Sequence, residues 1–386
     1  MESLSHILNH LGEERENYRN AVAPPIFQSS NFCFKTVDDM RKGLEREFED
    51  PFYTRGNNPT VEILRKKMAA LEGAEDALIF SSGSTAISAA VINSVKAGDH
   101  VICVQKPYSW TNKLLNTLLA RFGVETTMVD ARNEEEVFAA IKGNTTLIML
   151  ESPNSATFEM QDLEIICTEA RKRNIRTVID NSYSTPLYQN PISLGADIVC
   201  HSASKYIGGH SDVVAGVLCS SSEIVRSIFE GEFMTLGGNI SPFDAWLLLR
   251  GVRTLQVRLD KVTATTKIVI EYLENHPKVD NVFYPFAKQN PQLALAEKQM
   301  KGGGGLFSLT LKTEDIKKVE AFSNSLQLFL LACSWGGYES LQFPQCTLYG
   351  SANYKTSLPF NMIRFYIGLE EPEEIIEDFE RAFAQI

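Results

Sequence analysis

"IRTVIDNSYSTPLYQNPISLGADIVCHSASK", residues Ile175 to Lys205, contains two short apolar runs, each ending in a group able to do chemistry. The run "IRTVID" closes on Asp180, and "ADIVCHS" leads through Ser202 and Ser204 to Lys205. Runs this short and this continuously apolar read as strands buried on both faces. The same rhythm occurs before them in "DALIF", "DHVICV", "ETTMVD" and "TTLIMLES", and after them in "VAGVLCS". Helical candidates such as "AISAAVINSVKAG" and "LEIICTEARKRN" lie between. Apolar strands separated by helices predict an α/β architecture with a parallel sheet covered on both faces.

Upstream, "NNPTVEILRKKMAALEG" predicts a capped helix, with Asn58 at the N-cap, Pro59 in the first turn and Gly73 at the stop. The polar, proline-containing residues before it read as an arm with little core of its own. Near residue 250 the pattern changes. "KVDNVFYP", "GGLFSLTL", "LFLLACSW" and "MIRFYIGL" predict strands, and "IKKVEAFSNSL" and "PEEIIEDFERAFAQI" predict helices. The expected organisation is an arm over 1–55, a large domain over 56–248 and a smaller α+β domain over 249–386. "KGGGG", Lys301 to Gly305, reads as a turn entering a strand, since its spacing is not that of a phosphate loop.

The bulk composition narrows the function. A net charge of −11 gives a nucleic-acid partner no electrostatic support. Seven cysteines without CxxC spacing argue against a zinc site or a disulfide framework and fit a reducing, cytoplasmic setting. "MESLSHILNHLGEERENYRNAV" lacks the basic and apolar regions of a signal peptide, and no apolar stretch is long enough to span a bilayer. No G-x-G-x-x-G follows a strand, so the dinucleotide-binding reading of such a sheet is poor.

Lys205 then needs a reason. Ser202 to Lys205 matches the S-x-x-K of acyl enzymes, but the companion S-D-N and K-T-G motifs are absent. A lysine that bonds covalently to pyridoxal phosphate (PLP) is the other chemistry this residue type offers. It needs an amine of lowered pKa, a helix start for the phosphate, a carboxylate for the pyridine nitrogen and an aromatic ring to stack. Ser82, Gly83 and Ser84 lie between a strand and a helix, Asp180 ends a strand, and Tyr108 follows "DHVICV". Each has a plainer reading, as a helix cap, a strand-end cap or a core ring. Jointly, at consecutive strand ends, they favour the cofactor.

In order and spacing, "YTRGNNPT", "SSGSTAI", "ESPNSATFE", "VIDNSYSTP" and "HSASKYIGGHSD" resemble the Cys/Met-metabolism PLP enzymes, and "GLFSLTL", "SWGGYESL" and "IRFYIGLE" extend the match. The resemblance implies the fold type I PLP-dependent transferase fold, with a mostly parallel seven-stranded sheet. It implies Lys205 as the covalent anchor, Asp180 at the pyridine nitrogen, and Ser82, Gly83, Ser84, Ser202 and Ser204 around the phosphate. Tyr108 would stack on the ring, and Lys205, Tyr108 and Asp180 would carry the catalysis. Tyr53 and Arg55 would reach the phosphate of a neighbouring subunit, making the enzyme a homo-oligomer built of active dimers, usually a tetramer. Arg364 would grip the substrate α-carboxylate with Ser334, and Trp335, Ser155 and Glu151 would also line the substrate site. No metal is implied.

Within the family, "SWGGYESL" and "ESPNSATFE" resemble the bacterial-type cystathionine β-lyases. The implied reaction is β-cleavage of cystathionine or a cysteine conjugate to a thiol, pyruvate and ammonia. The alternative is a γ-acting relative: cystathionine γ-synthase, O-acylhomoserine sulfhydrylase, or a cystathionine or methionine γ-lyase. "NPT" after the Y-x-R element resembles the γ-enzymes, and Cys333 stands where the β-lyases tend to carry Tyr. Trp110 stands where methionine γ-lyases carry an active-site Cys.

Overall fold

The computed structural model describes residues 2–351 and 356–386. All seven strands expected before residue 250 form one sheet: β1 (Asp76–Phe80), β2 (His100–Val104), β3 (Glu125–Val129), β4 (Thr145–Glu151), β5 (Arg176–Asp180), β6 (Ile198–Ser202) and β7 (Gly216–Ser220). Their order is β1-β7-β6-β5-β4-β2-β3. Strands β2 to β6 pair in parallel, whereas β7 runs antiparallel to both β1 and β6. The reversal follows from the short return after Lys205, which has no crossover helix to carry the chain back to the starting edge.

Strand β7 enters beside the helix that follows β1. At Gly216 an added Cβ would sit 2.1 Å from the carbonyl oxygen of Ser82. Only a glycine lets the two backbones meet there. The helix Pro59–Glu72 is capped as expected: Asn58 accepts from the Thr60 N–H, and Gly73 closes it at φ 70.

The second sheet has the order β10-β11-β12-β9-β8. It contains β8 (Val279–Phe283), β9 (Leu306–Leu311), β10 (Leu330–Leu331), β11 (Leu341–Pro344) and β12 (Met362–Tyr366). "LFLLACSW" therefore forms a strand only over two exposed leucines, and Ala332 to Trp335 leave the sheet and turn toward Lys205. The helices Pro242–Arg253 and Leu255–Glu274 carried little sequence signal. The face that the latter buries includes Arg258, Thr263, Thr265 and Thr266, which blunts its apolar period. A cluster containing Tyr183, Tyr206, Leu259, Trp335 and Tyr366 packs between the two sheets.

The N-terminal segment is anchored at its start and exposed further on. Ile7 and Leu8 of the helix Leu4–Asn9 join a core with Leu64, Met68 and Leu248, while Val22, Val37, Met40 and Leu44 are exposed. Among the described residues, no helix is long and apolar enough to cross a membrane.

Substituting Gly216→Ala should cost about 1–3 kcal/mol, because the methyl meets backbone that cannot yield. A thermal-unfolding midpoint a few degrees lower is the expected result; an unchanged midpoint would show that the strand has room.

Candidate active site

Glu151 and Asp180 are register partners at the ends of β4 and β5, and β6 runs out alongside toward Lys205. This edge, outside the carboxyl ends of parallel strands, is where open α/β sheets place ligands. Asp180 Oδ1 accepts from the Ser182 N–H at 3.0 Å and from the Ser182 hydroxyl at 2.5 Å. The Ser182 hydroxyl in turn accepts the Ser202 N–H at 2.6 Å, linking the ends of β5 and β6. Among the described residues Asp180 Oδ2 takes no hydrogen bond, so one oxygen of this buried carboxyl remains available. Burial holds the Asp180 pKa above the usual carboxylate range.

Lys205 follows Ser202 in a turn whose first bond runs from its N–H to the Ser202 carbonyl, at 3.1 Å. Its Nζ donates to the Ser334 hydroxyl at 2.7 Å and lies 5.5 Å from the centroid of the Trp335 ring. Burial, helped by the charge of Arg364, brings the Lys205 pKa down to about 8. A lysine so placed is a usable nucleophile and base near neutrality.

Beside it begins the helix Gly83–Ser94. Ser82 is its N-cap, accepting the Thr85 N–H at 3.1 Å. An added Cβ at Gly83 would lie 2.8 Å from both Cα and Cβ of Ser202, so the glycine brings the helix start against the end of β6. The N–H groups of Gly83 and Ser84 have no partner within the helix, and the Ser84 and Ser202 hydroxyls make no hydrogen bond among the described residues. These four groups form an anion cradle. The hydroxyls of Ser82 and Ser204 are already engaged, the former with Thr85 and the latter with the N–H of Ala215, at 2.9 Å. This donor set, next to a half-buried lysine and a buried carboxyl with a free oxygen, fits a phosphorylated aldehyde with a basic ring nitrogen.

Glu151 is 4% exposed, and both of its oxygens hold backbone. Oε2 accepts the Tyr108 N–H at 2.6 Å and Oε1 accepts the Ser155 N–H at 3.0 Å. Burial and the neighbouring Asp180 charge push its pKa up. The Ser155 carbonyl accepts from Arg364 Nη1 at 3.3 Å, and the Cys333 carbonyl accepts from Nη2 at 2.7 Å. Both partners are neutral, and a guanidinium carries five N–H donors, so Arg364 keeps donors and its charge for an incoming carboxylate.

The chain thus gathers Lys205, Asp180, Gly83, Ser84, Ser202, Tyr108, Glu151, Ser155, Ser334, Trp335 and Arg364 around one edge. Tyr53 and Arg55 stand apart. Both are exposed, the guanidinium lies 5.3 Å from the centroid of the Tyr53 ring, and neither side chain hydrogen bonds to a site residue among those described. Sequence reading missed Ser182, and also Asn154, whose Oδ1 accepts the N–H groups of Ala156, Thr157 and Phe158 and so shapes the loop of Ser155. For Ser182 the only signal was its place two residues beyond a strand-end aspartate.

The sequence profile of the Cys/Met metabolism PLP-dependent enzyme family matches residues 6–384. The L-methionine gamma-lyase of Porphyromonas gingivalis is 38% identical over 374 residues, covering 95% of this chain and 93% of that protein. The cystathionine gamma-lyase of Bacillus subtilis is 34% identical over 385 residues, covering 98% and 99%. A crystal structure of metB from Corynebacterium glutamicum superposes with a TM-score of 0.92 at 35% identity, covering 100% of this chain and 98% of that one.

The lowered pKa makes a kinetic prediction. Only the neutral amine attacks an aldehyde, so capture of pyridoxal phosphate by the cofactor-free protein should rise with pH through an inflection near 8 rather than near 10.5. Stopped-flow absorbance measures it. A rate that keeps climbing to pH 10 without a plateau would contradict the environment assigned to Lys205.

Proposed function

The chain belongs to the Cys/Met metabolism PLP-dependent enzymes, and from that premise we propose that it is a carbon–sulfur lyase cleaving at the γ-carbon of a sulfur amino acid. A substrate of the methionine or cystathionine type plus water would yield a thiol, 2-oxobutyrate and ammonia. The observation that carries this reading is that relatives matching over nearly the whole chain are methionine and cystathionine gamma-lyases. They favour the γ-acting alternative over the β-cleavage suggested by "SWGGYESL" and "ESPNSATFE".

PLP, when bound, supplies an electron sink for the bonds at the substrate's Cα. Gly83, Ser84 and Ser202 would hold its phosphate, Asp180 its ring nitrogen, Tyr108 its ring and Lys205 its reactive carbon. Arg364 binds and orients the substrate α-carboxylate through a planar fork that lysine could not supply. The Ser334 hydroxyl, which accepts from Lys205 within the chain, assists at that carboxylate when the amine is engaged elsewhere. The amine of Lys205, with its pKa near 8, moves the proton at Cα. Cleavage at the γ-carbon also needs a proton moved at Cβ, one carbon along, within the sweep of the same flexible side chain. Ser182 fixes Asp180 Oδ1, which leaves Oδ2 as the oxygen that would accept a hydrogen bond from the ring nitrogen.

Tyr53 and Arg55, exposed on a segment that also exposes Val37, Met40 and Leu44, support a site completed by the arm of a second copy. On this reading the working unit is at least a homodimer, with the arm over residues 1–55.

Two measurements test the proposal. Incubation with cystathionine and with methionine should release 2-oxobutyrate, identified by chromatography of the keto acid; pyruvate from cystathionine would instead assign β-cleavage. Arg364→Lys should raise KM roughly tenfold or more, because charged hydrogen bonds of this kind are worth about 1.5–3 kcal/mol. A KM that does not move would place the carboxylate elsewhere.

A further inference from the structure

Arg258 is 7% exposed and lies one turn into the helix Leu255–Glu274. Among the described residues no carboxylate comes within ion-pair distance of it. Its three bonds all go to neutral acceptors: Nη1 donates to the Tyr206 carbonyl at 2.7 Å, Nη2 to the Gly251 carbonyl at 2.7 Å and Nε to the Thr254 hydroxyl at 3.1 Å. A buried, un-neutralised cation is costly unless its bonds are worth keeping.

The first of those acceptors belongs to the residue directly after Lys205. Ala203 to Gly208 form a tight turn outside any regular helix, closed by the Gly208 N–H on the Ala203 carbonyl and the Gly209 N–H on the Lys205 carbonyl, both at 2.8 Å. The turn stops at Gly209, φ +69, where an added Cβ would sit 1.9 Å from Arg258 Nη1. Stopping there leaves the Tyr206 carbonyl without a backbone partner among the described residues, and the guanidinium supplies one. Two more glycines press backbone onto the turn. A Cβ at Gly251 would lie 2.4 Å from the carbonyl oxygens of Ile207 and Gly208, and one at Gly336 would lie 2.6 Å from the Tyr206 nitrogen.

We propose that Arg258 is a positioning residue for Lys205: it fixes the backbone next to the lysine and ties that turn to the junction of the helices Pro242–Arg253 and Leu255–Glu274. The inference rests on Lys205 being the cofactor-bonding amine. Its consequence is that the reach of the amine is set by a side chain that never touches the cofactor.

The test compares unsubstituted full-length protein loaded with pyridoxal phosphate with Arg258→Met, Arg258→Lys and the milder Thr254→Val. The readouts are the release of bound cofactor on dilution, the pH midpoint of its visible absorbance and the thermal midpoint. Arg258→Met should release cofactor roughly tenfold faster, the scale of one lost charged hydrogen bond, and should shift the absorbance midpoint. Arg258→Lys should restore part of both, and Thr254→Val should move both slightly in the direction of Arg258→Met. If Arg258→Met does not fold, Thr254→Val carries the test. Lower thermal midpoints with unchanged release and an unchanged absorbance midpoint would overturn the proposal and leave Arg258 a fold-stabilising residue only. An unsubstituted protein that bonds no cofactor at Lys205 would instead overturn the functional reading beneath it.

Discussion

Taking a lysine and two carboxyls out of water together is the constraint on which the rest of this structure depends. Alone, each charge would be expelled or neutralised by burial. Here each is tethered by named bonds: Asp180 by Ser182, Glu151 by the N–H groups of Tyr108 and Ser155, and Lys205 by Ser334. These tethers come from the loops that follow the strands and, at Ser334, from the loop after β10 of the second sheet. Asp180 Oδ2, Arg364 and the helix start at Gly83 are left with bonding capacity, and these are the groups a phosphorylated cofactor and an amino-acid carboxylate would complete.

The geometry depends on close approach of backbone to backbone. Gly83 meets Ser202, Gly216 meets Ser82, and Gly336 and Gly251 meet the turn of Lys205. Side chains at these points would hold the anion cradle, the lysine and the Ser334 loop apart. The lysine is therefore positioned from several elements distant in sequence rather than by its own motif.

A second buried network does comparable work at the other end of the chain. Lys67, with a fully buried side chain, donates to the carbonyls of Ile7 and Leu8 at 3.0 and 3.2 Å, and lies 3.2 Å from Glu13 Oε1, which also receives Arg253. A cation at the end of the helix Leu4–Asn9 complements its dipole and its free carbonyls. The first residues are thereby fixed to the body of the protein, while Val22 to Arg55 lie largely exposed.

Local sequence determined much of this protein. The seven strands of the main sheet, the cap of the helix Pro59–Glu72 and the strand-end placement of Asp180 and Lys205 follow from period, capping chemistry and apolar runs, which act over a few residues. The ordered motifs extended that reading to the cofactor. Tertiary structure decided what depends on distant neighbours. It reversed β7, shortened β10 so that Ser334 could reach Lys205, and hid the helix Leu255–Glu274 behind a buried face carrying threonines and Arg258. It also gave Glu151 to backbone, and it made Arg258 a clamp, because a guanidinium's role is set by the acceptors around it and those come from Tyr206, Gly251 and Thr254.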